Sequence, residues 1–141
     1  WYECRSQINN ILSQENELKN IMQLIGEENL PEDQQLILFI TNLIRNGYLI
    51  QNAFDSIDNF TSVQKLIGQI KLILLLYKEG KELLKSGYLI EDIKNLSVID
   101  DILRISYSIS NDEFYKIGNL KKRLLNEIES LKLSFGALKE I

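Results

Sequence analysis

Residues 34–46 read QQLILFITNLIRN, and this run decides the fold. Its apolar side chains would cover too much of a helix surface for that helix to lie at the edge of a protein. They are Leu36, Ile37, Leu38, Phe39, Ile40, Leu43 and Ile44. We therefore predict a buried helix that begins near Pro31, continues to about Asn46 and is ended by Gly47.

The segments on either side predict further helices, because apolar residues recur at steps of three and four. The first has an apolar face of Ile8, Ile11, Leu12, Leu18, Ile21, Met22 and Ile25, and Gly26 ends it. The last begins at a capping-box sequence, Ser110 to Glu113. The other predicted helices cover residues 6–25, 62–86, 90–96 and 98–107, and the second of these is capped by Ser62 and ended by Gly87.

Residues 48–61 show no clean period and carry Tyr48, Phe54 and Phe60, which favours an ordered loop. The prediction is thus one all-α domain over residues 1–141. It is a bundle of about five or six antiparallel helices, joined by short turns and this one loop.

The composition argues against most kinds of catalytic, metal-binding and nucleotide-binding site. The 141 residues include no histidine, a single cysteine (Cys4) and only isolated glycines, so no catalytic base, zinc cluster or phosphate loop is expected. We expect no catalytic residue, metal or cofactor in this chain. The net charge of −4 argues against nucleic acid, and the longest apolar run, residues 72–77, is too short to cross a bilayer. A cytoplasmic location is expected, and the start at Trp1 suggests a piece of a longer polypeptide.

Two stretches carry a resemblance to a known family. Residues 24–34 read LIGEENLPEDQ, and residues 44–55 read IRNGYLIQNAFD. Their order and spacing resemble the C-terminal helical domain of the catalytic A subunit of V-type and A-type rotary ATPases, as does VIDDILRI at residues 98–105. The chain departs from the family pattern at Tyr48, where phenylalanine is frequent, and at Ile50, where glutamine is frequent.

The resemblance implies a role within a complex. In this family, A subunits alternate with B subunits in a hexameric ring, and an upstream domain of the A subunit binds ATP with Mg. The C-terminal domain swings with each nucleotide cycle and presses on the central-stalk rotor, which couples ATP hydrolysis or synthesis to proton or sodium transport. Such a chain would lie peripheral to the membrane, with neither membrane insertion nor nucleic-acid binding.

The resemblance also implies two sites. The turn formed by Glu27, Glu28, Asn29, Leu30, Pro31, Glu32 and Asp33 would contact the rotor, and Tyr48, Gln51 and Phe54 would line the adenine of the nucleotide. Each has an ordinary alternative. The turn can be a capped helix start, with Asn29 and Glu32 as a capping pair, and the aromatic rings can be core residues.

A rival hypothesis is a stand-alone helical adaptor. Such a protein binds a partner helix in an apolar groove, and the last helix would suit that partner.

Overall fold

The computed structural model describes the backbone of residues 2–55, 63–105 and 115–139, and the side chains of residues 2–46, 65–105 and 115–134. Over these ranges the chain forms six α-helices and no strand, which confirms the predicted all-α class. The helices are α1 (Tyr2–Ile25), α2 (Glu32–Asp55), α3 (Val63–Lys85), α4 (Ile90–Lys94), α5 (Val98–Leu103) and α6 (Tyr115–Lys139), and a short 3-10 turn (Glu27–Asn29) lies between α1 and α2.

The core is built around α2 and α3, which pack against each other more extensively than any other pair. The helix α1 covers one side of α2, and α6 packs against α3 and α5. Of the seven apolar residues that predicted a buried α2, only Phe39 is not fully buried. The side chains with the least exposure are Leu36, Ile40, Ile73, Leu76, Leu83, Ile93, Ile102, Ile105, Leu124 and Ile128.

The prediction that α2 ends at Gly47 is wrong. The helix continues through Gly47 to Asp55, so the first half of the predicted loop is helical. A glycine inside a helix costs about 1 kcal/mol relative to alanine, which tertiary packing commonly outweighs. Ile50 and Phe54 also continue the spacing of Leu43, seven and eleven positions on. Residues 56–62, including the predicted cap Ser62, lie outside the described residues.

The first helix differs from its prediction in two ways. It begins at Tyr2 rather than near residue 6, and its predicted apolar face is only partly covered. Ile11 and Leu18 are buried, but Ile21 and Ile25 are 42% and 45% exposed. The apolar face of α1 is therefore covered in the middle of the helix and partly exposed near its C-terminal end.

Two predicted glycine stops are confirmed. Gly26 and Gly87 have positive φ angles of 86° and 98°, which only glycine adopts easily. After α3, Gly87 N–H donates to Leu84 O (3.2 Å) and Tyr88 N–H donates to Leu83 O (3.1 Å). This pair of bonds is the Schellman motif, which satisfies the last carbonyl groups of a helix.

Of the two short helices α4 and α5, the second is held by α6, whereas α4 packs against α2 and α3. Both are shorter than predicted, and the predicted capping box at 110–113 lies outside the described residues. Glu127 of α6 accepts hydrogen bonds from Ser97 N–H (2.8 Å) and Val98 N–H (3.3 Å) and so caps the start of α5. Arg123 bonds Glu127 and Asp101, which holds α6 against α5.

Candidate functional site at the tip of the bundle

The turn between α1 and α2 forms one end of the bundle and contains all the predicted rotor-contact residues. Backbone hydrogen bonds fix its shape: Gly26 N–H donates to Met22 O (2.8 Å) and Leu30 N–H donates to Glu27 O (3.0 Å). Leu30 is buried and anchors the turn to the core. The side chain of Gln35 donates to the Leu30 carbonyl (2.8 Å). The turn is therefore a rigid, hydrogen-bonded structure.

The predicted capping pair is replaced by a different arrangement. The side-chain amide of Asn29 donates to the carbonyl of Ile25, so it satisfies the end of α1. The start of α2 is formed by Pro31, whose carbonyl accepts from the N–H groups of Gln34 and Gln35 (3.0 Å each).

The acidic side chains of the turn face solvent and a few cations of this chain. Glu27, Glu28 and Asp33 are exposed, and Glu32 is half-buried. Glu27 Oε1 lies 3.9 Å from Lys94 Nζ of α4. Glu32 and Asp33 line a shallow depression with Lys81 and Lys85 from the end of α3.

The pKa of a nearby tyrosine, Tyr77, is raised in this environment. Burial raises the pKa of its phenol, and the negative charge of Asp33 raises the pKa further. The ammonium group of Lys81 lies over the ring of Tyr77, 4.5 Å from the ring centre, in a cation–π contact. Tyr77 thus remains neutral and acts as a packing residue behind the tip.

An apolar patch adjoins the acidic turn. Leu24 is 85% exposed, and Ile21 and Ile25 lie beside it at helical spacing. Leu89, in the turn before α4, is 56% exposed. The end of α3 lies beside the start of α2, because residues of both line the same depression. The tip therefore presents both carboxylates and exposed aliphatic side chains.

The other predicted site lies at the opposite end of α2. Tyr48, Gln51 and Phe54 follow one another at steps of three on the last turns of this helix, and their side chains lie outside the described residues. Glu32 and Phe54 are 22 positions apart on one continuous helix, which spans about 33 Å. The structure does not bring the two predicted sites together but joins them through a single helix.

A buried carboxylate that sequence reasoning missed braces this helix. Glu15 of α1 is 1% exposed, and its Oε1 lies 2.6 Å from Arg45 Nη2 of α2 and 2.8 Å from Lys19 Nζ. Burial alone would raise the pKa of Glu15, but Lys19, Thr41 and Arg45 together outweigh it, so the pKa is lowered. The carboxylate stays charged and ties α1 to α2. The Glu15–Lys19 spacing was the only sequence signal, and it is common on exposed helices.

A close approach of α2 and α3 adds a second brace. A Cβ placed on Gly80 of α3 would lie 3.2 Å from both terminal methyl groups of Leu36 and 3.5 Å from Ile93. The two distances to Leu36 are shorter than normal packing contacts, so the glycine lets α2 and α3 approach each other closely. The part of α2 from Leu36 to Arg45 is thus held on one side by α1 and on another by α3.

Comparison with known proteins identifies the family. The family model described as the C-terminal domain of V and A type ATP synthase matches residues 1–94, from α1 through α4. The chain belongs to this family. The predicted resemblance is confirmed, and both predicted sites lie inside the matched range.

Individual relatives agree with this assignment. The chain is 41% identical over 133 residues to the A subunit of the A-type ATP synthase of Sulfolobus acidocaldarius, a match that covers 93% of this chain and 22% of that protein. It is 36% identical over 133 residues to the A subunit of the A-type ATP synthase of Hyperthermus butylicus, with the same coverage of 93% and 22%. It is 32% identical over 124 residues to the V-type ATP synthase alpha chain of Halothermothrix orenii, with 88% and 21% covered. The chain spans about a fifth of the length of these relatives.

Metal-binding and membrane-spanning features are both lacking in the described part of this ATP synthase domain. Its described residues contain no group of three Cys, Asp or Glu side chains that could hold a metal ion. Within the same ranges, none of the helices combines the length and the apolar character that a bilayer crossing requires.

Proposed function

We propose that this domain couples the nucleotide chemistry of a catalytic A subunit to rotation of the central stalk, and thereby to proton or sodium transport. The parent protein is an ion-translocating rotary ATPase that binds ATP and Mg in its upstream domain, and it alternates with B subunits in a hexameric ring. It lies on the cytoplasmic side, peripheral to the membrane. Family membership supports this function over the stand-alone adaptor.

The observation that carries the proposal is the continuity of α2. One helix begins at the exposed turn and reaches Phe54 without interruption. Because an α-helix transmits a displacement along its axis, a movement at one end of a braced helix reaches the other. Contacts with Glu15 and Gly80 hold this helix against its neighbours between Leu36 and Arg45. The turn from Glu27 to Asp33 is then the rotor contact, and Tyr48, Gln51 and Phe54 line the adenine.

The turn works through its shape more than through single charges. Exposed ion pairs contribute only about 0–1 kcal/mol each, so they bind a moving shaft too weakly to hold it. A hydrogen-bonded turn anchored by Leu30 resists compression and can push.

The test compares two variants of the full-length protein in the assembled enzyme. In one, residues 27–29 are deleted, which shortens the turn. In the other, Glu27, Glu28, Glu32 and Asp33 are all changed to their amides. We expect the deletion to reduce ion transport per ATP hydrolysed strongly and the charge-neutral variant to reduce it only modestly. Nucleotide affinity serves as the control, because the turn lies far from the phosphate-binding domain. Undiminished coupling in both variants would refute the rotor-contact assignment.

A further inference from the structure

A groove of about 510 Å³ lies between α3 and α6, with Gln7 of α1 also lining it, and it contains none of the residues used in the proposed function. Its floor is apolar and comes from both helices, with Leu72, Leu74 and Leu75 on α3 and Ile117 on α6. Leu75 is only half-buried, so part of the floor faces solvent. None of the residues that line the groove belongs to α2.

The rim of the groove is positively charged. Lys71, Lys78 and Lys121 line it, all three are exposed, and no Asp or Glu among the described residues lines it with them. None of the three forms an ion pair with another described residue. Lys71 and Lys78 are two helical turns apart on α3, about 10 Å along its axis. Although the chain has a net charge of −4, none of these three cations is paired with an acid of the described residues.

Gly118 adds an independent observation on the α6 side. It lines the groove, and a Cβ built on it would have no described atom within 4 Å. Packing within the described chain therefore does not require a glycine there. Because glycine inside a helix costs roughly 0.5–1 kcal/mol relative to alanine, a missing side chain at this point is a cost to folding. Its effect is to lower the groove wall, so that another backbone can approach closely.

We propose that this groove docks an acidic amphipathic helix that belongs to another protein of the parent complex. The partner's apolar stripe lies on Leu75 and on the aliphatic stems of the rim lysines, while Leu72, Leu74 and Ile117 are buried beneath. Its Asp or Glu side chains pair with Lys71, Lys78 and Lys121. Helices recognise grooves of this kind through one apolar face, and complementary charge at the rim sets orientation and partner choice. The proposal rests on the proposed function in that it takes the partner from the same complex, but it concerns a different surface from the tip.

Adjacent lysines on α6 provide a matched test. Lys121 lines the groove, whereas Lys122 is equally exposed and does not. In the full-length parent protein, Lys121→Glu and Lys122→Glu are each titrated with purified B subunits and, separately, with purified central-stalk subunits. For one of these probes, we expect Lys121→Glu to weaken binding about tenfold, the equivalent of 1.4 kcal/mol. The loss should be larger at low salt, and Lys122→Glu should change the affinity less than about twofold.

A steric pair of variants separates docking from folding. Gly118→Ala improves helix propensity but adds a methyl group where the partner backbone approaches, so it should weaken docking without destabilising the chain. Gly118→Trp fills the groove from an exposed position and should abolish docking while the circular dichroism spectrum stays unchanged. A photo-crosslinking residue at Lys78 in the assembled complex should yield peptides rich in Asp and Glu from the same partner that the titration identifies.

Three results would overturn the inference. These are equal effects of Lys121→Glu and Lys122→Glu, full binding by the folded Gly118→Trp variant, or crosslinks confined to segments without acidic residues, to nucleic acid or to lipid. The proposed function fails separately, because it depends on coupling in the shortened-turn variant. If the groove variants behave as expected but the shortened turn leaves coupling undiminished, only the proposed function is overturned. If the shortened turn reduces coupling but the groove variants do not behave as expected, only the groove proposal is overturned.

Discussion

Replacing Glu15 by glutamine tests whether a buried charge holds α1 against α2. Glu15 is almost fully buried, and its carboxylate lies within 3 Å of both Lys19 and Arg45. Glutamine keeps the shape but loses the charge, which removes the part of the interaction that lowers the pKa of Glu15.

The magnitude follows from the exposure of the partners. Breaking a fully buried ion pair costs about 3–5 kcal/mol, because the remaining charge stays unpaired in the interior. Here the side chains of Lys19 and Arg45 are 45% and 44% exposed, so both can return to water. The loss is then closer to that of a charge-assisted hydrogen bond, about 1.5–3 kcal/mol. For a domain of this size, that corresponds to a fall in Tm of roughly 4–10 °C.

The pH dependence supplies a second signature. Because the folded pKa of Glu15 is lowered, its contribution to stability is complete above the unfolded pKa, about 4.3, and is lost as the pH falls through the folded pKa. The stability gap between the native chain and Glu15→Gln should therefore be constant near neutral pH and shrink in acid.

The assay is urea unfolding of chain 1–141 followed by far-UV circular dichroism. The matched control is Glu17→Gln, an exposed glutamate on the same helix without an ion pair among the described residues, which should change stability by less than about 0.5 kcal/mol. Equal stability of Glu15→Gln and the native chain at neutral pH would refute the reasoning, as would a gap that widens on acidification.

Three further outcomes are expected. Gly80→Ala should destabilise the domain by about 1–3 kcal/mol in denaturant titrations, because its methyl group meets Leu36. Gly118→Ala should instead stabilise it by up to about 1 kcal/mol, and a greater loss of stability at Gly118 than at Gly80 would contradict the packing described. Phe54→Ala in the full-length protein should weaken nucleotide affinity and leave assembly intact, and a loss of several kcal/mol of stability with unchanged affinity would instead make the ring a core residue. The isolated chain should neither hydrolyse ATP nor bind it at micromolar concentration, because stacking alone supplies roughly 1–3 kcal/mol and even a millimolar Kd requires about 4 kcal/mol. Robust turnover in a preparation free of contaminating ATPase would refute this prediction.

The fold was predictable where local chemistry decides it. Gly26 and Gly87 end helices because their backbone requires a positive φ, and the width of the apolar surface on α2 predicts its burial. The prediction at Gly47 failed because the same residue type is tolerated inside a helix whose packing comes from other elements. Propensity is thus informative at helix ends and weak in the middle of a packed helix.

The site was predictable only in part, because its important contacts join distant residues. A glutamate four positions before a lysine is typical of a solvated helix, and nothing in the sequence shows that Arg45 completes the group around Glu15. The lysines of the groove lie on α3 and α6, some forty residues apart, so their common rim exists only in the folded chain. The exposure of Ile21 and Ile25 was missed for the same reason, since periodicity shows which residues share a face and not what covers that face.

The two braces along α2 hold the part of the helix that would have to transmit a push. Gly80 contacts Leu36 in the second turn of this helix, and Glu15 holds Arg45 about nine residues later. Between these points the helix buries Leu36, Ile40 and Leu43 in the core, so bending it would require repacking the core. Gly47 lies two residues beyond the last brace, and a glycine is the weakest point of a helix. Under the proposed function, a push at the turn would therefore be carried along the braced helix as far as Arg45, and any bend beyond it would be concentrated at Gly47.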